Sequence, residues 1–169
     1  MVRPLLILRS GFERLLESVV IFLMLSMVVV VVLGVVYRKA GVSLVWYDEI
    51  ASIMLAWLTY YGAALAALKR AHIGVPGVVD SAPPRLRLGL IILAEVFVIG
   101  FFILLAWVGY EVVLVLEGDY LVSLPEISTQ YTQSVIPIGA VLFIAAQVLS
   151  LPDALRGTTE APDDAEPSA

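Results

Sequence analysis

The chain has 169 residues, of which 61% are hydrophobic and only 15% charged, with a mean hydropathy of +1.00. A water-soluble domain is nearer half apolar and a quarter charged, so the excess must face something other than water. With no cysteine and a single histidine, His72, the chain excludes disulfide frameworks, thiol redox chemistry, Cys-ligated metals and a bis-histidine haem of its own. The formal net charge is −5, but Glu160, Asp163, Asp164 and Glu166 stand together near the C-terminus. The apolar body is therefore close to neutral, and nothing in it points to a nucleic-acid partner.

The first apolar segment covers about residues 15–37, and Val19 to Val36 carries no charge, which is long enough to span a bilayer. Its many valines favour strand in water. In hydrocarbon an isolated strand leaves its backbone groups unpaired, whereas a helix satisfies them internally. Ser10 and Glu13 have capping-box spacing, which predicts a helix start near Gly11 and leaves residues 1–14 as an N-terminal segment outside the span. The apolar run is longer than a signal-peptide core, and Tyr37-Arg38-Lys39-Ala40-Gly41 offers no Ala-x-Ala site, so the span is expected to stay uncleaved.

The second span is expected over residues 48–68, followed by Lys69-Arg70-Ala71-His72. A connector from Ile73 to Arg87 holds Pro83-Pro84, a chain break just before a helix. The third span, 88–116, is long enough to tilt or to project from the bilayer. The fourth, 128–151, opens on the polar uncharged run Ser128-Thr129-Gln130-Tyr131-Thr132-Gln133-Ser134, contains Pro137 and is stopped by Pro152. The remainder, 153–169, is acidic, Pro/Ala-rich and poor in large apolar residues, and is expected to be a disordered tail. The expectation is an all-α membrane protein, with a transmembrane domain of four helices over residues 15–152 and short connectors.

Orientation follows from the basic residues. Arg3, Arg9, Arg14, Lys69, Arg70, Arg85, Arg87 and Arg156 fall on one side, and only Arg38 and Lys39 on the other. The asymmetry predicts an N-in/C-in topology in a bacterial or archaeal cytoplasmic (inner) membrane, with both termini cytoplasmic. The loops 42–47 and 117–127 then face outward, the second carrying Glu117, Asp119 and Glu126.

Trp46-Tyr47-Asp48-Glu49 opens the second span. By default it fits an interfacial aromatic belt with acids at a helix N-terminus; the functional reading is that Asp48 or Glu49 pairs with a base on a partner subunit. Asp48, Ser52, Ala56, Thr59, Ala63, Ala66 and Arg70 recur at three- and four-residue intervals and share a helix face. Gly62 with Ala66 and Ala63 with Ala67 are small-xxx-small pairs, which let helices approach closely in lipid. Trp57 and Tyr60 lie off that stripe. Periodicity leaves open whether the stripe packs within the chain or against another.

Glu95 is placed about 12 Å along the third helix from Arg87, inside the membrane, where a carboxylate is by default a functional candidate. It fits equally a residue that reaches the interface or pairs with Lys69 or Arg70. Lys69, Arg70 and His72 read as juxtamembrane residues at the lipid headgroups. No nucleophile with a nearby base, metal motif or phosphate-binding glycine loop is present. No cofactor is expected, and no matching pair of broken helices marks a self-contained carrier.

Trp46-Tyr47-Asp48-Glu49, then Trp57-Leu58-Thr59-Tyr60-Tyr61-Gly62-Ala63-Ala64, Lys69-Arg70-Ala71-His72-Ile73 and Ile136-Pro137-Ile138-Gly139 together resemble the small, DctQ-type membrane subunit of TRAP (tripartite ATP-independent periplasmic) transporters, over roughly residues 12–152. The run Ile73-Gly74-Val75-Pro76 departs from the pattern, in which an acid often follows His-Ile-x-Val. The resemblance implies a non-enzymatic subunit that extends the static scaffold of a large multi-span partner. Together they take up an organic anion from a periplasmic solute-binding protein, with uptake usually sodium-coupled. Two other readings stand beside it: the small four-span subunit of a tricarboxylate-type tripartite system, and a membrane-embedded quinone or redox protein.

Overall fold

The computed structural model describes residues 2–69 and 83–156. Among the described residues five helices follow in chain order: α1 Val2–Lys39, α2 Tyr47–Leu68, α3 Pro84–Val115, the short α4 Thr129–Gln133 and α5 Val135–Arg156. Four stretches are long and apolar enough to cross a membrane, Ile7–Lys39, Tyr47–Leu68, Gly89–Val115 and Thr129–Leu151. The chain is a multi-pass membrane protein of four helical spans.

The boundaries differ from expectation where local chemistry competes. α1 begins at Val2 instead of Gly11, with Pro4 in its first turn, where a missing N–H costs nothing. Ser10 is therefore inside the helix, and its hydroxyl donates back to the Ile7 carbonyl at 3.0 Å instead of capping. α3 starts on Pro84 at its first position, four residues ahead of the expected Leu88. At the fourth span the chain breaks at Ser134, between α4 and α5. Pro137 explains the break: it has no N–H for the Gln133 carbonyl, and its ring crowds that oxygen. α5 then continues past Pro152 to Arg156, so this proline does not stop the helix.

The helices stand in the series α1–α2–α5–α3, each packed on the next, with α4 beside α3 and the start of α5. Three glycines set the close approaches. A Cβ at Gly34 of α1 would strike the Tyr47 ring of α2, one at Gly139 of α5 would meet Tyr60 of α2, and one at Gly109 of α3 would meet Ile136 and Pro137 of α5. The core lies toward the end that carries Arg9, Arg14 and Lys69. There Leu16, Ala64, Ala67, Leu68, Phe143 and Ala146 are buried, with Phe12, Val98 and Phe102 packed against them. Phe102 and Phe143 stack with centroids 3.6 Å apart and planes within 5°, which joins α3 to α5 by a large shared contact area.

Two carbonyls freed at helix ends are satisfied by distant side chains. Arg9 donates to the Leu68 oxygen at the C-terminus of α2, at 3.3 Å. Gln130 of α4 donates to the Val113 oxygen near the end of α3, at 2.9 Å. Both answer the general requirement that the last carbonyls of a helix find partners. α3 is the least enclosed of the spans, with none of its most apolar stretch buried inside the chain.

Candidate partner interface

The N-terminal turn of α2 gathers several of the residues singled out above. Trp46 occupies the cap position without a side-chain cap, and its carbonyl accepts from Ile50 N–H at 3.1 Å. Asp48 and Glu49 fill the first turn, where their charge offsets the positive end of the helix dipole. Glu49 is engaged within the chain. One of its oxygens accepts from Val122 N–H at 3.2 Å, and the other from Ser123 N–H at 2.8 Å and from the Ser123 hydroxyl.

Those bonds anchor the loop between α3 and α4 to the base of α2. The loop turns at Gly118, whose φ of +89° suits a residue without a side chain. It folds back on itself through Leu121 N–H to the Ile127 oxygen at 3.0 Å and Thr129 N–H to the Asp119 oxygen at 2.9 Å. Ser128 caps α4 by accepting from Gln130 N–H at 3.3 Å. Leu121 is buried under the loop, and Val122 points away from it almost fully exposed.

The small-residue stripe of α2 divides. Asp48, Ser52, Ala56 and Thr59 are exposed, whereas Ala63 packs on the buried cluster and Ala66 is half-buried. The hydroxyls of Ser52 and Thr59 donate to the carbonyls four residues before them, Asp48 and Leu55, each at 2.8 Å. They thus leave no unsatisfied donor on the face. Gly62 meets nothing where a Cβ would stand, so it serves no close approach inside the chain. The opposite side of α2 faces inward. Trp57 donates its indole N–H to the Thr132 oxygen at 2.9 Å, and Tyr60 rests on Gly139.

At the other end of α2, Lys69 bridges to α1, 3.4 Å from Glu13 and in hydrogen-bond contact with Glu17. Glu17 chiefly, and Glu13 after it, hold the Lys69 ammonium above its ordinary range against an opposing desolvation effect. Arg70 and His72 lie outside the described residues. Glu95 is half-buried and accepts from the Gln147 amide at 2.7 Å, which ties α3 to α5. It also lines an open cleft with Ile91, Ile92, Val96, Ile99 and Leu151.

The exposed surfaces differ in kind. On α1 and α3 they are branched aliphatics and aromatics, among them Ile21, Phe22, Val28, Val32, Phe97 and Phe101, as suits contact with acyl chains. On α2 the exposed face is mostly small and polar, Asp48, Ser52, Ala56 and Thr59, with Leu55 as its one large aliphatic side chain, which suits another helix.

Reasoning from sequence did not single out Ser123, Gln147, Gly34 or Gly109, and it named Arg9 only for its charge and Gln130 only as part of a polar run. Gln147 carried a signal, as a lone amide in the otherwise apolar run from Val135 to Leu149. Ser123, Gly34 and Gly109 carried none in their own neighbourhood. No curated protein matches the chain. Residues 27–157, from inside α1 through the end of α5, match the family described as tripartite ATP-independent periplasmic transporters, DctQ component. The chain belongs to that family and is a small membrane component of a tripartite transporter.

Proposed function

We propose that the chain is a non-catalytic scaffold subunit whose α2 face, Asp48, Ser52, Ala56, Thr59 and Gly62, packs against a large multi-span membrane subunit. The carrying observation is the contrast between this face, small and polar apart from Leu55, and the surfaces of α1 and α3, which are branched aliphatic and aromatic along their length. In lipid no hydrophobic force drives helices together, so close packing of small residues is what distinguishes a helix-binding face from a lipid-facing one. The partner carries the solute path and takes up an organic anion delivered by a periplasmic binding protein, with sodium as the coupling ion. The excess of basic residues on one side supports a topology with both termini in the cytoplasm, in a bacterial or archaeal inner membrane.

Co-expression tests the reading. The chain and the large subunit should purify as one complex, and the isolated chain in vesicles should accumulate no solute. Solute accumulation by the isolated chain would overturn the scaffold role.

A further inference from the structure

Between α3 and α5 lies an open cleft of about 240 Å³, lined by Ile91, Ile92, Glu95, Val96 and Ile99 of α3 and by Leu151 of α5. From Ile91 to Ile99 it follows α3 for about 12 Å. The surface presented to the cleft is wholly apolar. Glu95 therefore gives it methylene groups, while its carboxylate accepts from Gln147, one turn before Leu151. The Phe102–Phe143 stack closes the same seam farther into the membrane. At the near end, Arg85 and Arg87 stand in the first turn of α3, which carries no acid. Arg87 is one turn before Ile91 and Arg85 two turns before Ile92, so both stripes that line the cleft run up to a basic residue.

We infer that this cleft holds one acyl chain of an anionic phospholipid, whose phosphate is met by Arg85 and Arg87 at the start of α3. The site needs only this chain and a bilayer, and it lies away from the partner face on α2. Shape and polarity argue for the acyl chain. The cleft opens sideways past Ile92 and Val96, both exposed, and a slot without polar groups has nothing to hold water or a polar solute. Charge argues for the headgroup. Lipid tails are as apolar as the lining itself, so the slot alone selects no lipid. Two arginines at a helix N-terminus add to the positive end of its dipole, and an anionic phosphodiester offsets both. α2 meets the same need with its own acids, Asp48 and Glu49. The bound lipid would fasten the first turns of α3, a flank helix of the series, to the last turns of α5.

The test is native mass spectrometry of the full purified chain, offered equal amounts of phosphatidylglycerol and phosphatidylcholine with the same acyl chains. One phosphatidylglycerol should be retained, in about tenfold preference to phosphatidylcholine. Arg85→Gln/Arg87→Gln should abolish the preference. Ile92→Trp keeps both charges but fills the slot, and should reduce retention of phosphatidylglycerol by a similar factor at unchanged helix content by circular dichroism. Val96→Phe fills the slot one turn on and takes its place if Ile92→Trp does not fold. Equal retention of the two lipids by the wild-type chain would overturn the inference. Wild-type preference in the arginine variant would do so too, because the selecting charge would lie elsewhere. So would wild-type retention in the filled variant, since the arginines would then hold headgroups without the cleft. A lipid expelled when the large subunit binds would also sink it, the cleft then being a seat for that partner.

Discussion

Trp57 on α2 donates its indole N–H to the backbone oxygen of Thr132, 2.9 Å away, at the break between α4 and α5. The Thr132 carbonyl belongs to the short helix interrupted ahead of Pro137, and the indole supplies the bond that a continuous helix would have given it. Trp57→Phe keeps an aromatic ring but removes the donor. A part-buried carbonyl left unpaired costs about 1–3 kcal/mol. The thermal midpoint of the detergent-solubilised protein should fall, while membrane insertion in cells stays at the wild-type level.

The glycines separate into two classes by what surrounds them. Gly139→Ala places a methyl 2.7 Å from Tyr60, and Gly109→Ala places one 2.6 Å from Ile136. Each should destabilise the isolated chain by about 1–3 kcal/mol through forced repacking. Gly62→Ala meets open space and should stabilise it by up to about 1 kcal/mol through helix propensity. Thermal melts of the three variants side by side check the ordering.

Gly62→Leu is expected to leave the isolated chain folded and to impair its assembly with the large subunit. The same open space that tolerates the side chain within the chain is where a neighbouring helix would pack. Co-purification yield, compared with the melting curve of the chain alone, distinguishes an interface from a folding defect. Normal yield would remove the case for this face.

Removing the Glu49 carboxylate should free the α3–α4 loop. Glu49→Ala deletes every acceptor for Val122 N–H, Ser123 N–H and the Ser123 hydroxyl. Hydrogen exchange over residues 119–128 should then rise, with α2 and α5 unaffected. Glu49→Gln keeps an oxygen but not the charge, and charge-assisted bonds are roughly twice as strong as neutral ones. Its exchange rates should fall between the two.

Glu95→Gln preserves an acceptor for the Gln147 amide and is expected to fold normally. Glu95→Leu leaves that amide without its carboxylate oxygen and should lower the thermal midpoint. Transport by the assembled Glu95→Gln complex reports on the charge itself. An unchanged rate would mark Glu95 as a link between α3 and α5 with no part in coupling.

Much of the fold was legible in the residues, because each span must close its own backbone bonds in lipid and therefore announces itself by length. The helix ends were less so. Ser10 and Glu13 have the spacing of a cap, but Pro4 lies upstream and the chain stays helical through both. The stripe on α2 was legible as a stripe, yet its division at Ala63 depends on where α1 and α5 lie. The role of Glu49 was hidden for a related reason. Its donors sit more than seventy positions away, and no local pattern marks a loop N–H as the partner of a carboxylate. The same holds for Gly34, Gly109 and Gly139, whose purpose is the bulk of a residue elsewhere in the chain.

The order α1–α2–α5–α3 makes a wall more than a barrel, since α1 packs on α2 and α3 on α5 while both flanks keep wide exposed sides. A wall has two faces and no lumen. Whatever crosses the membrane beside it needs a second boundary from another protein, and a mutation on the far face should be felt through the lipid alone. Three seams, each notched by a glycine at Gly34, Gly139 or Gly109, keep that wall from flexing.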